Sequence, residues 1–227
     1  MSISVMKRYE LKYLLSGEQT RLLREKLLGR MQIDQYGKTT IASLYYDTPN
    51  YTLIRSSLEK PAFKEKIRLR AYGPATQDST VFLELKRKAC GVVYKRRIET
   101  TVRQAEAFFN EAGRGAADGQ LQRELAAFRD HYRTLRPACL IIYDRTAYFE
   151  PDGDLRLTID ENPRYRMEDL TLTKDMNGAP LLDEGWTILE IFGQWCQQAY
   201  DKIAPAVFHD HIEFPLYHIG QFGHVLL

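Results

Sequence analysis

Ile67-Arg68-Leu69-Arg70 and Leu83-Glu84-Leu85-Lys86 place a charged side chain at every second position, with leucine or isoleucine between the charges. Residues 155–160, which read Leu-Arg-Leu-Thr-Ile-Asp, repeat this alternation later in the chain. Because successive side chains of a β-strand point to opposite faces, each stretch predicts a strand with one charged face and one apolar face. The charged positions are mostly arginine and lysine with a few carboxylates. This mixture favours a surface that binds a polyanion and a metal ion.

Further strands and helices are expected on both sides of these stretches. The predicted strands cover residues 7–15, 41–47, 65–72, 81–88, 92–102, 139–149, 154–160 and 186–192, with a short extended piece at 212–218. The predicted helices cover residues 16–30, 103–112, 119–134 and 195–208. Ser16 with Gln19 and Thr101 with Gln104 have the spacing of a capping box, which marks a helix start. Pro137 is expected to stop the third helix, and 162–185 reads as a polar loop.

The order of these elements predicts the fold class. Strands, two helices, more strands and a helix follow one another with little β-α-β alternation, which indicates an α+β protein with a mainly antiparallel sheet. About eight strands are enough to close into a barrel, with the helices packed outside it. No repeat, low-complexity run or linker interrupts the chain, so residues 1–227 are expected to form a single domain.

Composition limits the function. A formal net charge of +2 over 227 residues does not fit a polybasic nucleic-acid binder, so bound anions must meet a local concentration of charge. The three cysteines are far apart and form no CxxC pair, which favours a reducing compartment. The first residues lack a signal peptide, and no apolar run approaches the roughly 20 residues that span a bilayer. We therefore expect a cytoplasmic protein with no membrane span of its own.

The charged positions of the predicted strands are the candidate site. They are Arg8, Glu10, Lys12, Arg68, Arg70, Glu84, Lys86, Lys95, Arg97, Arg145, Arg156, Asp160 and Glu190. Arginine binds phosphate oxygens in pairs, whereas a carboxylate in such a lining needs a metal ion between it and the phosphate. The alternative is a one-sided sheet whose polar face simply meets water. Recurrence of the pattern on several strands favours an anion site.

Several short motifs occur in an order that resembles a known family. They are residues 8–14 (Arg-Tyr-Glu-Leu-Lys-Tyr-Leu), 43–49 (Ser-Leu-Tyr-Tyr-Asp-Thr-Pro), 66–70, 83–87, 93–95, 143–145 (Tyr-Asp-Arg), 156–160 and 188–191. This succession resembles the VTC domain, the polyphosphate polymerase module of the vacuolar transporter chaperone complex. That domain belongs to the CYTH-like triphosphate tunnel metalloenzymes.

The resemblance implies an antiparallel barrel of about eight strands that is open through its centre. It also implies transfer of the γ-phosphate of ATP to a polyphosphate chain, with Mn²⁺ or Mg²⁺ as the cofactor and no side-chain nucleophile. By motif, the catalytic residues would be Arg68, Arg70, Lys86 and Arg145. Phosphate would also be bound by Lys12, Lys95, Arg97, Arg156 and Arg8, and the metal by Glu190 with Glu10 as a second candidate.

Two positions depart from the family pattern. Phe192 stands where a lysine usually follows the metal glutamate, and Leu216 stands at the lysine of a Ser-Lys-Tyr segment. Two alternatives therefore stay open: a hydrolase of tripolyphosphate or nucleoside triphosphates, and a module that binds polyphosphate without turnover. The expected partners are ATP and inorganic polyphosphate or triphosphate, with no nucleic acid. A membrane partner in trans also stays open.

Overall fold

The computed structural model describes residues 9–59, 62–89, 92–110 and 119–193. Within these ranges the chain forms four helices and nine strands. The helices are α1 (Gly17–Leu27), α2 (Thr52–Leu58), α3 (Val102–Phe109) and α4 (Gln120–Tyr132). The strands are β1 (Tyr9–Leu15), β2 (Gln32–Asp47), β3 (Phe63–Tyr72), β4 (Thr80–Ala89), β5 (Val92–Thr101), β6 (Arg136–Phe149), β7 (Arg156–Arg166), β8 (Ala179–Pro180) and β9 (Thr187–Gly193). The helix predicted at 195–208 and the extended piece at 212–218 lie outside the described residues.

The strands form an antiparallel sheet, so the predicted α+β class is confirmed. Their order is β1-β9-β7-β6-β2-β3-β4-β5, and β8 pairs with β7. The expected closure into a barrel by hydrogen bonds is wrong for the described ranges, because β1 and β5 end this order and no ladder joins them. Alternation fixes which face each side chain takes, but it carries no information on whether the two end strands pair.

The described chain packs into two compact units, each with its own core. The first unit comprises residues 9–40, 143–164 and 180–193, and the second comprises residues 41–142 and 165–179. In the first unit, Leu23 and Leu27 of α1 pack with Leu157, Ile159 and other buried residues of the strands.

In the second unit, α3 and α4 supply Ala105, Leu125 and Phe128 to a core that contains Leu69 and Leu83. The helices therefore cover apolar strand faces, as the sequence predicts. No helix of the described residues is both long and apolar enough to cross a bilayer.

Both predicted capping boxes are present. The Ser16 hydroxyl accepts from the Gln19 N–H at 3.3 Å, and the Gln19 side chain accepts from the Ser16 N–H at 2.9 Å. Thr101 and Gln104 exchange the same two hydrogen bonds, each at 3.2 Å. These bonds satisfy backbone donors that a helix start leaves without an intrahelical partner.

Other predicted boundaries are wrong. Helix α4 ends at Tyr132, before Pro137, and Pro137 lies inside β6. The predicted loop at 162–185 includes the end of β7 and all of β8. Helix α2 was not predicted, because its capping group is not the residue next to the helix. The Asp47 carboxylate accepts from the N–H groups of Leu53 and Ile54, six and seven residues further along the chain, both at 2.9 Å.

Candidate functional site

Cationic side chains line one face of the β3–β4–β5 part of the sheet, in the second unit, and six of them lie in three neighbouring rows. Strand register arranges them in rows across the strands: one row joins Lys66, Lys86 and Lys95, and the next joins Arg68, Glu84 and Arg97. Arg70 lies in the following row, opposite Phe82. We call this set the basic cluster; its members are Lys66, Arg68, Arg70, Lys86, Lys95 and Arg97.

Alternation along β3 explains why the cations share a face. Ile67, Leu69 and Ala71 are buried in the core of the second unit, at 0, 0 and 1% exposure. The side chains between them must therefore point to the other face of the sheet. The amphipathic pattern of residues 66–71 thus places arginine and lysine on one side as a direct result of core packing on the other.

A single buried carboxylate, that of Glu84, lies among the cations. Its Oε2 is 2.9 Å from Nε and 2.7 Å from an Nη of Arg68, and 3.8 Å from Nε of Arg70. Its Oε1 is 3.0 Å from Nζ of Lys95 and 3.8 Å from Nε of Arg97. The Glu84 side chain is only 2% exposed, and Arg70 is buried too, whereas Lys95 and Arg97 keep 46 and 38% of their side-chain surface in water.

The electrostatics of the basic cluster show in the pKa values of its members. Burial alone would raise the pKa of Glu84, but Arg68, Arg70 and Lys95 outweigh burial and lower this pKa to about 2. Burial lowers the pKa of Lys66 and of Lys95, and for Lys95 the attraction of Glu84 opposes the effect. The six cations of the cluster outnumber its one buried carboxylate, and the excess of positive charge suits a polyanionic ligand.

Tyr45 of β2 belongs to the same site. Its hydroxyl accepts a hydrogen bond from Arg68 at 2.9 Å, and the Arg68 guanidinium lies 5.7 Å from the Tyr45 ring centroid. Burial alone would raise the pKa of this phenol, but Arg68, Lys66 and Arg70 lower it to about 8. The phenol thus responds to the charge of the basic cluster.

A second charged group lies in the first unit and contains two buried carboxylates. Asp160 of β7 and Glu190 of β9 both accept from Arg145: Nε and one Nη donate to Asp160 at 2.5 and 2.6 Å, and the same Nη donates to Glu190 at 2.8 Å. Lys12 of β1, directly opposite Glu190, forms a close ion pair with it. We call Asp160 and Glu190 the acidic pair.

The acidic pair fits a divalent cation by the chemistry of its donors. Mg²⁺ is usually held by one or two carboxylates plus phosphate oxygens of the substrate, and Asp160 and Glu190 supply two. Among the described residues, no group of three His, Cys, Asp or Glu side chains converges on one point. Phosphate oxygens would therefore have to complete the coordination of a metal at the acidic pair.

The predicted site residues fall into these two groups. The basic cluster holds Arg68, Arg70, Lys86, Lys95 and Arg97, and the first unit holds Lys12, Arg145 and Glu190. Arg156 is exposed on β7, where it lies opposite Phe192. The structure describes the backbone of Glu10, which lies opposite Phe192, but not its side chain. Arg8 and Leu216 lie outside the described residues. The assignment of roles to these residues stays a prediction.

Sequence reasoning missed Lys66 and Tyr45 as site residues, and it placed Asp160 among the candidate residues without naming it as a metal ligand. Lys66 could have been found, because it precedes Arg68 by two positions and must share its face. Tyr45 gives no such indication, because its place beside Arg68 depends on the register of β2 with β3.

Cys139 is buried, and burial raises the pKa of its thiol to about 12, which makes it a poor nucleophile.

Comparison with known proteins identifies the family. The VTC domain model matches residues 7–210. The chain belongs to the VTC domain family. No curated protein sequence matches this VTC domain.

Solved structures resemble it at low sequence identity. A putative adenylate cyclase from Bacillus halodurans has 16% identity and a TM-score of 0.56, with 89% of this VTC domain and 91% of that chain covered. A putative adenylate cyclase from Vibrio parahaemolyticus has 13% identity and a TM-score of 0.46, with 88 and 87% covered. The family and the Bacillus structure together assign this VTC domain to the CYTH-like triphosphate tunnel fold.

Proposed function

We propose that this VTC domain is a metal-dependent polyphosphate polymerase, which transfers the γ-phosphate of ATP to the end of a polyphosphate chain. The observation that supports the proposal most strongly is the basic cluster: six cations on three adjacent strands, four of which lie around one buried carboxylate. A triphosphate carries several negative charges on closely spaced groups, so adjacent rows of cations can contact more than one phosphate. The family supports the same substrate class.

The reaction needs positioning and charge stabilisation more than covalent chemistry. A terminal oxygen of the polyphosphate attacks the γ-phosphorus of ATP, the bond to the β-phosphate oxygen breaks, and ADP leaves. The moving phosphoryl group spreads negative charge over its oxygens. Arg68, Arg70 and Lys86 would stabilise that charge, because preformed cations need no reorganisation during transfer.

The acidic pair is the proposed place for the metal. Asp160 and Glu190 would hold Mn²⁺ or Mg²⁺, which when bound neutralises charge on phosphate oxygens. Arg145, which now binds both carboxylates, would then be available to a phosphate group. Structures with bound tripolyphosphate and with bound Mn²⁺ would test the phosphate and metal parts of the proposal separately.

Product analysis tests the activity. Purified protein with ATP and Mn²⁺ is expected to produce polyphosphate chains, visible on a gel. An Arg68→Ala/Arg70→Ala variant should lose roughly 100-fold or more of kcat/KM. Arg103→Ala is the matched control, because Arg103 is an exposed arginine of α3 that pairs with Asp78, outside the basic cluster. Release of phosphate without chains would select a hydrolase, and loss of neither activity nor binding in the double variant would refute the proposal.

One observation favours a second candidate, a module that binds polyphosphate without turnover. Phe192 of β9 lies opposite both Arg156 of β7 and Glu10 of β1, at a position where the family usually has lysine. A missing cation weakens stabilisation of the transferring group while other cations can still bind phosphate. Salt-sensitive binding of polyphosphate without products under Mn²⁺ or Mg²⁺ would select this candidate. A Phe192→Lys variant that gains turnover would support it further.

A further inference from the structure

Glu84 presents a problem for any anion site. It is a carboxylate at the centre of the basic cluster, where it repels phosphate, and it is buried at 2% exposure. Moving a carboxylate out of water costs several kcal/mol unless its partners compensate. Its presence there needs a physical reason.

Metal binding is a poor reason. Both oxygens of Glu84 already lie within 3.0 Å of a cationic nitrogen, with two further guanidinium nitrogens at 3.8 Å. A divalent cation at Glu84 would have to enter among four positive side chains and would be repelled by all of them. The acidic pair in the first unit has the more favourable charge balance, because its two carboxylates form their ion pairs with two cations, Arg145 and Lys12.

The geometry of the cations supplies a better reason. Like charges directly opposite one another in a sheet are destabilising, and long cationic side chains separate into water when nothing holds them. Glu84 occupies the middle strand of its row, between Arg68 of β3 and Arg97 of β5, so one carboxylate reaches both sides. It thereby draws cations of two neighbouring strands toward one point.

Each arginine of this row has a second fixed contact. Arg68 donates to the Tyr45 hydroxyl at 2.9 Å, and the Arg97 guanidinium lies 3.5 Å from the centroid of the Phe82 ring. Two contacts on different sides restrict the rotamers of a guanidinium more than one contact does. The cations are therefore held in place before any ligand arrives, which reduces the entropy cost of binding.

We infer that Glu84 is a positioning residue: it fixes Arg68, Arg70, Lys95 and Arg97 in the arrangement that receives the phosphates. The inference rests on the proposed function, because it presumes a phosphate ligand. It predicts that neutralising Glu84 changes the affinity for an anion in the direction opposite to the one that charge alone predicts. Removing a negative charge from an anion site should strengthen anion binding, whereas removing a positioning residue should weaken it.

The test measures tripolyphosphate binding by calorimetry, together with kcat and KM for ATP, in four proteins. They are the wild type, Glu84→Gln, Glu84→Asp and Glu99→Gln. Glu99 is the charge-matched control, since it is an exposed carboxylate of β5 two residues from Arg97. We expect Glu84→Gln to bind tripolyphosphate about 10- to 100-fold more weakly, with a lower kcat, because small displacements of positioned groups cost factors of this size. Glu84→Asp should recover part of the loss, and Glu99→Gln should bind as tightly as the wild type or slightly more tightly.

The outcomes separate the inference from the proposed function. If the wild type binds no tripolyphosphate, the proposed function fails. If the wild type binds and Glu84→Gln binds as tightly with unchanged kcat, the inference is overturned. Should Glu84→Gln fail to fold, as judged by circular dichroism, Glu84→Asp decides: affinity and kcat equal to the wild type would overturn the inference, and a loss in a folded protein would support it.

Discussion

Replacement of Tyr45 by phenylalanine should change how phosphate binding depends on pH. The phenol of Tyr45 has its pKa lowered from 10.0 to about 8, because Arg68, Lys66 and Arg70 outweigh the opposing effect of burial. Below pH 8 the phenol is neutral and accepts the Arg68 hydrogen bond. Above pH 8 it becomes a phenolate, which competes with phosphate for the same guanidinium.

The lowered pKa of Tyr45 sets the size of the expected pH effect on phosphate affinity. A pKa lowered by about two units means that the surroundings favour the phenolate by about 100-fold. If bound tripolyphosphate cancels that preference, the affinity of the wild type should fall by up to about 5-fold between pH 8 and pH 9, and by up to about 25-fold between pH 8 and pH 10. Burial also lowers the pKa of Lys66 and of Lys95, and Tyr45 opposes this effect for Lys66, so the difference between wild type and variant reports the phenol together with its coupling to Lys66.

Two measurements check this reasoning. The ultraviolet difference spectrum of wild type minus Tyr45→Phe should show one phenolate forming near pH 8, well below the range of an ordinary tyrosine. Calorimetry with tripolyphosphate should give a steeper fall in affinity with pH for the wild type than for Tyr45→Phe. Parallel pH profiles in the two proteins, or a difference spectrum that rises only near pH 10, would refute the role given to this phenol.

Two further predictions concern stability, and urea unfolding followed by circular dichroism measures both. Arg145→Gln leaves the acidic pair without its shared donor and should cost about 3–5 kcal/mol. Arg164→Gln loses a 3.3 Å ion pair with Asp144 and a 2.9 Å hydrogen bond to the Asn162 carbonyl, and it should cost less, about 1–2 kcal/mol. An equal loss of unfolding free energy in Arg145→Gln and Arg164→Gln would contradict the role of Arg145 as the shared donor of two buried carboxylates. Asp47→Ala removes the acceptor of two N–H groups of α2 and should cost about 2 kcal/mol. Asn50→Ala, in the exposed turn that follows β2, should change stability by less than about 0.5 kcal/mol, and a similar cost in both would argue against a capping role.

The faces of the strands could be predicted from sequence because alternation is a local property. Ile67 and Leu69 mark the buried face of β3, and this places Arg68 and Arg70 on the other face. The capping boxes at Ser16 and Thr101 are local in the same sense, since donor and acceptor lie three residues apart. These features depend on neighbouring residues alone, so the chain reveals them without its partners.

What depends on register could not be predicted. Nothing in Leu83-Glu84-Leu85 indicates that Glu84 lies between Arg68 and Arg97, because a shift of the pairing would give it other neighbours. The meeting of Arg145, Asp160 and Glu190 involves three strands that are distant in sequence. The carboxylates of the charged faces were expected to hold metal. In the structure Glu84 instead lies among four cations.

The way the chain passes between the two compact units decides which experiments can locate the activity. Strand β2 begins in the first unit and ends in the second, and β6 runs from the second unit into the first. Neither unit is one uninterrupted stretch of polypeptide, so a stop codon after residue 142 would delete Asp160 and Glu190 and also residues 165–179 of the second unit. Truncation that removes the acidic pair therefore also damages the unit that holds the basic cluster. Only point variants in the intact chain can assign a function to one of them.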